Sequence, residues 1–81
     1  MPIIAEFKGI KIYMNYSMDE HNPPHIHGVY DNKRCSIDLN GNILDGGRMS
    51  KRMLNDITKF VLDHKQELES MWLNQKFPKI I

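Results

Sequence analysis

The most constraining feature of this sequence is a change in its hydrophobic periodicity near residues 46–47, which are both glycine. Before this point apolar and polar residues alternate at period two, as at Ile10, Ile12 and Met14, which is typical of strands with one buried face. After Ser50 the apolar residues recur at about 3.6 residues, which is typical of an amphipathic helix. We therefore predict an α+β fold in which an antiparallel sheet precedes the helical part.

The alternation and the turn-forming residues divide the first part of the chain into strands. We predict strands over residues 3–7, 10–16, 25–30 and 34–39, and a short one around 43–44, so that residues 2–45 form a sheet of four or five strands. Only a two-residue turn, at 31–32 or 32–33, keeps the apolar residues of the central hairpin on one face. These residues are Ile26, Gly28, Tyr30, Cys35, Ile37 and Leu39.

The helical part spans residues 50–76 and is predicted to cover one face of the sheet. Ser50 is a suitable N-cap, and Pro78 is expected to end the helix. One long helix and a helical hairpin with a break near His64 fit the pattern equally well. The segment 77–81 either frays or adds an edge contact. The apolar stripe is Met53, Ile57, Phe60, Val61, Leu68, Met71, Trp72 and Gln75.

Size and charge limit the possible functions. Eighty-one residues predict one domain over residues 1–81. Eleven basic and ten acidic residues give a net charge of +1, too small to attract nucleic acid or an anionic membrane over the whole surface. No stretch approaches the roughly 20 apolar residues of a membrane span. The single cysteine, Cys35, is expected to be a small core residue, and its being unpaired indicates a reducing, cytoplasmic location.

Three of the four histidines lie close together, at positions 21, 25 and 27. His25 and His27 stand two residues apart on a predicted strand, so their imidazoles project from the same face. This spacing suits two nitrogen ligands of one metal ion, and His21 could supply the third. The sequence does not fix a cofactor, but a divalent transition metal ion is the candidate. The carboxylates that could complete such a site or orient an imidazole are Asp19, Glu20 and Asp38.

The same histidines also suit chemistry without a metal. His25 and His27 could act as general base and general acid on a phosphodiester, because imidazole can fill both roles near neutral pH. In this hypothesis His21 assists, Asp38 or Glu20 orients an imidazole, and Arg34 neutralises the developing charge. A third interpretation is purely structural, with the histidines hydrogen bonding to loop carbonyls beside Pro23 and Pro24. In the predicted hairpin the two strand histidines and Asp38 lie on the face opposite the apolar residues.

The chain resembles a known prokaryotic family. The resemblance rests on the opening Met-Pro-Ile-Ile, on Asp-Glu-His-Asn-Pro-Pro-His-Ile-His at 19–27, on Ser-Ile-Asp at 36–38 and on Trp72. These features are similar to those of the family called domain of unknown function 4160, over nearly the whole chain. Ile26 stands where members of that family usually have phenylalanine. The resemblance implies a small α+β domain with no established activity, whose genes often lie beside another small gene, as in a toxin–antitoxin-like cassette.

Two functions from different classes follow. In the first, the chain is a component of such a cassette and acts on RNA through His25 and His27, although it lacks a basic stripe and exposed stacking aromatics. In the second, it is a non-catalytic module, an antitoxin or regulator, that binds a protein through the Pro-Pro and histidine segment. The expected partner is a small protein encoded nearby or a second copy of the chain.

Overall fold

A computed structural model describes residues 3–14 and 23–81 of the chain. Its five strands form one antiparallel sheet in sequence order, and two helices follow, which confirms the α+β fold. The predicted end of the second strand at residues 15–16, and Asp19, Glu20 and His21, lie outside the described residues. The elements are β1 (Ile3–Phe7), β2 (Ile10–Tyr13), β3 (His25–Tyr30), β4 (Lys33–Asp38), β5 (Ile43–Asp45), α1 (Lys51–Asp63) and α2 (Lys65–Asn74).

The central hairpin adopts the predicted register. Tyr30 pairs with Lys33, so the turn consists of residues 31–32, and Asp31 takes a φ of 56° there. Aspartate tolerates this left-handed conformation better than most side chains do. Further along the hairpin Gly28 pairs with Cys35 and Ile26 pairs with Ile37. One face of the two strands is consequently apolar along its length.

The apolar face of the sheet packs on the helices in one core. Gly28 lets α1 approach closely, because a Cβ atom at this position would lie 2.8 Å from Ile57 Cδ1 and 2.9 Å from Cys35 Sγ. The buried residues are Ile4, Ala5, Ile10, Ile12, Met14, Ile26, Cys35, Ile37, Leu39, Met49, Ile57, Phe60, Val61, Leu68 and Met71. All the residues predicted on the apolar face of the central hairpin are buried except Tyr30, which is partly buried and packs against this core.

The helical region consists of two helices with a break at His64. Ser50 caps α1 as predicted, since its Oγ accepts a hydrogen bond from the Met53 N–H at 3.2 Å. At the break the backbone hydrogen bonds continue, because the His64 N–H donates to Phe60 and the His64 carbonyl accepts from Leu68. The helical region ends before the predicted residue 76. Gln75 is already left-handed, with a φ of 54°.

The two edges of the sheet differ. The C-terminal segment makes the edge contact that was one of its two predicted roles, since the Ile80 N–H donates to the Ile4 carbonyl at 2.7 Å. The Glu6 N–H donates in turn to the Ile81 carbonyl at 3.2 Å. At the other edge, Ile43 and Leu44 of β5 are both about half exposed. Neither helix of the described chain is both long and apolar enough to cross a membrane.

Candidate functional site on the sheet face opposite the helices

The polar face of the sheet carries the histidines, as the strand alternation predicts. Along β3, Ile26 and Gly28 are buried against the helices, while His25 and His27 are half-buried on the opposite face. Strand pairing places further side chains around them, since residues directly opposite each other share a face. We call this surface the histidine face, and its residues are Lys11, Tyr13, His25, His27, Val29, Arg34, Ser36 and Asp38.

The backbone before β3 fixes the orientation of the His25 ring. Its Nδ1 lies 2.8 Å from the Pro23 carbonyl oxygen, and because a carbonyl can only accept, Nδ1–H is the donor. The segment itself is attached to β4 through a hydrogen bond from the Leu39 N–H to the Pro24 carbonyl at 3.2 Å. The Nε2 atom of His25 is therefore the nitrogen left for a ligand or for proton transfer.

His27 lies beside His25 in the centre of this face. The two ring centroids are 4.9 Å apart and the rings meet edge to face at 77°. On the other side, His27 Nδ1 and Ser36 Oγ form a hydrogen bond of 3.2 Å. Burial lowers the pKa of His27 below its ordinary value, and the charges of His25 and Arg34 lower it further. His27 is consequently more often neutral, and available as a base, than a solvated histidine at the same pH.

Asp38 is the cross-strand partner of His25, but its carboxylate oxygens contact the turn that follows β4. Oδ1 accepts hydrogen bonds from the Asn40 and Asn42 N–H groups at 2.9 and 2.8 Å, and Oδ2 accepts from Asn42 Nδ2 at 3.1 Å. Desolvation raises the pKa of Asp38, but the hydrogen bonds from Asn42, Asn40 and Gly41 outweigh it and lower the pKa overall. The catalytic role of Asp38 remains a prediction, whereas its hydrogen bonds stabilise the turn at residues 40–42.

Sequence reasoning missed two neighbours of the histidines. Tyr13 pairs with His27 across β2 and β3, which the sequence could have indicated only if the register of that pair had been known. Trp72 of α2 was expected in the core but is half-buried, and its ring centroid lies 5.9 Å from that of His25. No local pattern could reveal this contact, because it joins residues 47 positions apart in the chain.

The three-histidine metal site stays a prediction. Within residues 3–14 and 23–81, no three histidine, cysteine or carboxylate side chains are grouped closely enough to hold a metal ion. His25 and His27 can offer two imidazole nitrogens, whereas His21 lies outside these residues. The geometry thus leaves the third ligand undetermined.

Cys35 lies on the other side of the sheet from the histidines. It is buried, as expected for a core residue, and burial raises the pKa of its thiol above the ordinary value, with a smaller upward effect from Asp45 and an opposing one from a Gly28 hydrogen bond. A thiol is a poor nucleophile until it is deprotonated. The burial and the raised pKa both favour a packing role.

Comparison with known proteins identifies the family but no characterised relative. No curated protein and no solved structure matches the chain. The model of a family described as a domain of unknown function (DUF4160) matches residues 9–73, which include β2 to β5, α1 and most of α2. Since this match covers most of the chain, the protein belongs to the DUF4160 family.

Proposed function

We propose that the protein is a component of a toxin–antitoxin-like cassette and cleaves RNA by general acid–base catalysis on the histidine face. The observation that carries the proposal is the contact between His25 and His27, with ring centroids 4.9 Å apart on the polar face of the sheet. Two adjacent imidazoles can serve one phosphodiester group from the same side of the sheet. A divalent metal ion is not required for this chemistry.

His27 is the proposed general base. With Nδ1–H donated to Ser36 Oγ, the lone pair of Nε2 is available to take the proton of a ribose 2′-hydroxyl. The 2′ oxygen then attacks the neighbouring phosphorus. The lowered pKa of His27 favours this role, because the residue must be neutral to accept the proton.

His25 is the proposed general acid. In its protonated form, Nδ1–H remains bonded to Pro23 while Nε2–H donates its proton to the departing 5′ oxygen. The exposed guanidinium of Arg34 stabilises the negative charge that develops on the phosphorane. The products are a 2′,3′-cyclic phosphate and a 5′-hydroxyl, and proton exchange with water restores both histidines. Asp38, opposite His25, supports the site by holding the turn at residues 40–42 through its carboxylate oxygens.

The test is cleavage of a single-stranded RNA by protein purified without a histidine tag, with and without EDTA. We expect cleavage that EDTA does not abolish, with cyclic phosphate ends and no reaction on the 2′-deoxy analogue. Replacement of His25 or His27 by alanine should reduce the rate by about 10²-fold or more, as for the loss of a general acid or base. The matched control is His64→Ala, since His64 lies between the two helices.

Three outcomes would contradict this mechanism. Cleavage that survives both histidine substitutions would exclude the proposed acid and base. Cleavage that EDTA abolishes would favour the metal hypothesis with His21, His25 and His27 instead. Absence of cleavage with folded protein would leave the second candidate function. Circular dichroism and urea unfolding must show that each variant keeps the fold.

The second candidate, a protein-binding antitoxin or regulator, is favoured by one other observation. Pro23 and Pro24 form one side of a groove whose other side is provided by Trp72 and Leu73 of α2. Leu73 is 80% exposed, and with the exposed prolines it gives this groove an apolar rim. In this function the Pro-Pro segment is an interface and the histidines hold it in place.

A further inference from the structure

A groove beside the histidine face joins the start of β3, the turn after β4 and the helix α2. We call it the tryptophan groove, and its lining includes Pro23, Pro24, Asp38, Glu69, Trp72 and Leu73. Its volume is about 280 Å³. Clefts that hold whole drug-sized ligands measure about 300–1,000 Å³, so this groove lies at the lower limit of that range and has room for one long side chain.

The lining of the tryptophan groove combines an aromatic ring with two carboxylates. Glu69 and Trp72 are three residues apart on α2, so their side chains lie on the same helix face. Asp38 contributes the second negative charge from the sheet side. Indole faces attract cations, and the planar guanidinium of arginine combines stacking on a ring with hydrogen bonding to carboxylates. The apolar stem of the same side chain can pack on the prolines and Leu73.

The lining carboxylates are available to a ligand to different degrees. The Asp38 oxygens already accept hydrogen bonds from the turn at residues 40–42, so Asp38 contributes mainly its charge. Glu69 makes only a long contact of 3.9 Å with Lys65, and both side chains are roughly half exposed. Such exposed pairs contribute little energy and exchange readily. Glu69 is therefore the carboxylate that can turn to an incoming cation.

A second groove, of about 470 Å³, lies between α2 and the C-terminal segment. Its lining contains one carboxylate, Glu67, and one cation, Lys76, and no aromatic side chain. It lacks the pair of carboxylates beside an aromatic ring that indicates a cationic ligand in the tryptophan groove. The comparison makes Glu67 a useful control, because it lies on the same helix as Glu69 and also makes one contact with a basic residue, His64.

We propose that the tryptophan groove binds an arginine side chain presented by a partner protein, with the guanidinium on Trp72 and Glu69. This deepens the protein-binding candidate function and does not depend on cleavage of RNA. The charge of the lining disfavours a phosphate group as the occupant, because two carboxylates would repel it. The partner is thereby defined as a protein with an exposed basic segment.

The groove contains its own optical probe, because Trp72 is the one tryptophan of the sequence. Intrinsic fluorescence is titrated at low ionic strength with a capped tripeptide that has arginine between two glycines. We expect a saturable change in Trp72 emission that weakens as salt is added. A peptide with norleucine in place of arginine should produce a much smaller change. Replacement of Glu69 by glutamine should lower the affinity for the arginine peptide about threefold, as expected for the loss of an exposed ion pair.

Glu67→Gln is the matched control, since it removes the same charge from the same helix outside the tryptophan groove. It should leave the affinity within about 1.5-fold of that of the unsubstituted protein, because residues two positions apart do not face each other on a helix and Glu67 lines the second groove. Equal weakening by the two substitutions would overturn the proposal, as would equal binding of the norleucine peptide. The proposal would also be overturned if Trp72 emission showed no saturable change at peptide concentrations up to 50 times a dissociation constant of about 1 mM. A single-stranded RNA that changes Trp72 emission more strongly in Glu69→Gln would identify a nucleic-acid surface instead.

Discussion

At the scale of single residues, the environment of His27 connects the histidine face to the stability of the fold. Its pKa is lowered by burial first, and then by His25 and Arg34. The unfolded chain has no such environment, so its imidazole titrates near the ordinary value of 6.5. Between the folded pKa and this value the unfolded chain binds more protons than the folded one. The free energy of unfolding must therefore fall as the pH decreases through this window.

We predict that urea unfolding will show lower stability at pH 5.5 than at pH 7.5, and that His27→Gln will reduce this difference. Glutamine is neutral at both pH values and keeps a polar group opposite Ser36. The control is Asn55→Gln, which introduces glutamine at an exposed position of α1 without removing an ionisable group and should preserve the pH dependence. An unchanged pH dependence in His27→Gln would show that other groups are responsible. Asp38 acts in a more acidic range. Because its pKa is lowered in the folded protein, the free energy of unfolding decreases as the pH falls below about 4.

At the scale of elements, the connection between β5 and α1 depends on Gly47. This residue has a φ of 56°, and its N–H donates to Asp45 Oδ1 at 2.9 Å. A Cβ atom at this position would overlap the backbone carbonyl oxygen of Arg34 on β4. The connection between β5 and α1 can pass this close to β4 only because residue 47 has no side chain.

We predict that Gly47→Ala lowers the free energy of unfolding by more than about 2 kcal/mol. The left-handed conformation alone costs an alanine roughly 1–2 kcal/mol, and the overlap with Arg34 adds to it. The neighbouring Gly46→Ala is the matched control, because a Cβ there would lie 3.4 Å from Leu54 Cδ1, an ordinary contact. Chemical unfolding of both variants measures the difference. Similar stabilities for the two variants would contradict the role assigned to Gly47.

At the scale of the whole molecule, the sheet separates the core from the histidine face. Ile37 and Ser36 are adjacent on β4, yet Ile37 is fully buried against the helices while Ser36 contacts His27 on the other side. The same strands therefore carry a set of residues exposed on the histidine face and a set buried in the core. Arg34 belongs to the exposed set and Ile37 to the buried one.

We predict that Ile37→Ala will cost about 2–5 kcal/mol of stability, as large-to-small substitutions in a packed core do. Arg34→Ala should change stability by less than about 0.5 kcal/mol, because its side chain is exposed. In the RNA assay the order is reversed, since Arg34→Ala should slow cleavage in a protein that remains folded. Urea unfolding and RNA cleavage measured on both variants test this separation. A large loss of stability in Arg34→Ala would show that the two faces are coupled.

Much of the fold could be predicted because it depends on local patterns. Period-two alternation defines the strands, and the two-residue turn fixes which residues of β3 and β4 share a face. Ser50 marks the start of α1 because its hydroxyl satisfies a free backbone N–H. The end of α2 was less predictable. Gln75 leaves the helix without glycine or proline, and its side chain instead donates to the Trp72 carbonyl at 2.6 Å.

The sequence alone determined that His25 and His27 project from one face of a strand, because side chains alternate along an extended backbone. Only the tertiary structure decided which side chains from outside the β3–β4 hairpin lie beside them. The contact of Trp72 with His25, the tryptophan groove and the Gly47 approach to Arg34 all join segments distant in the chain. Such contacts depend on how the helices lie across the sheet, and this arrangement follows from the packing of the whole core rather than from any local pattern.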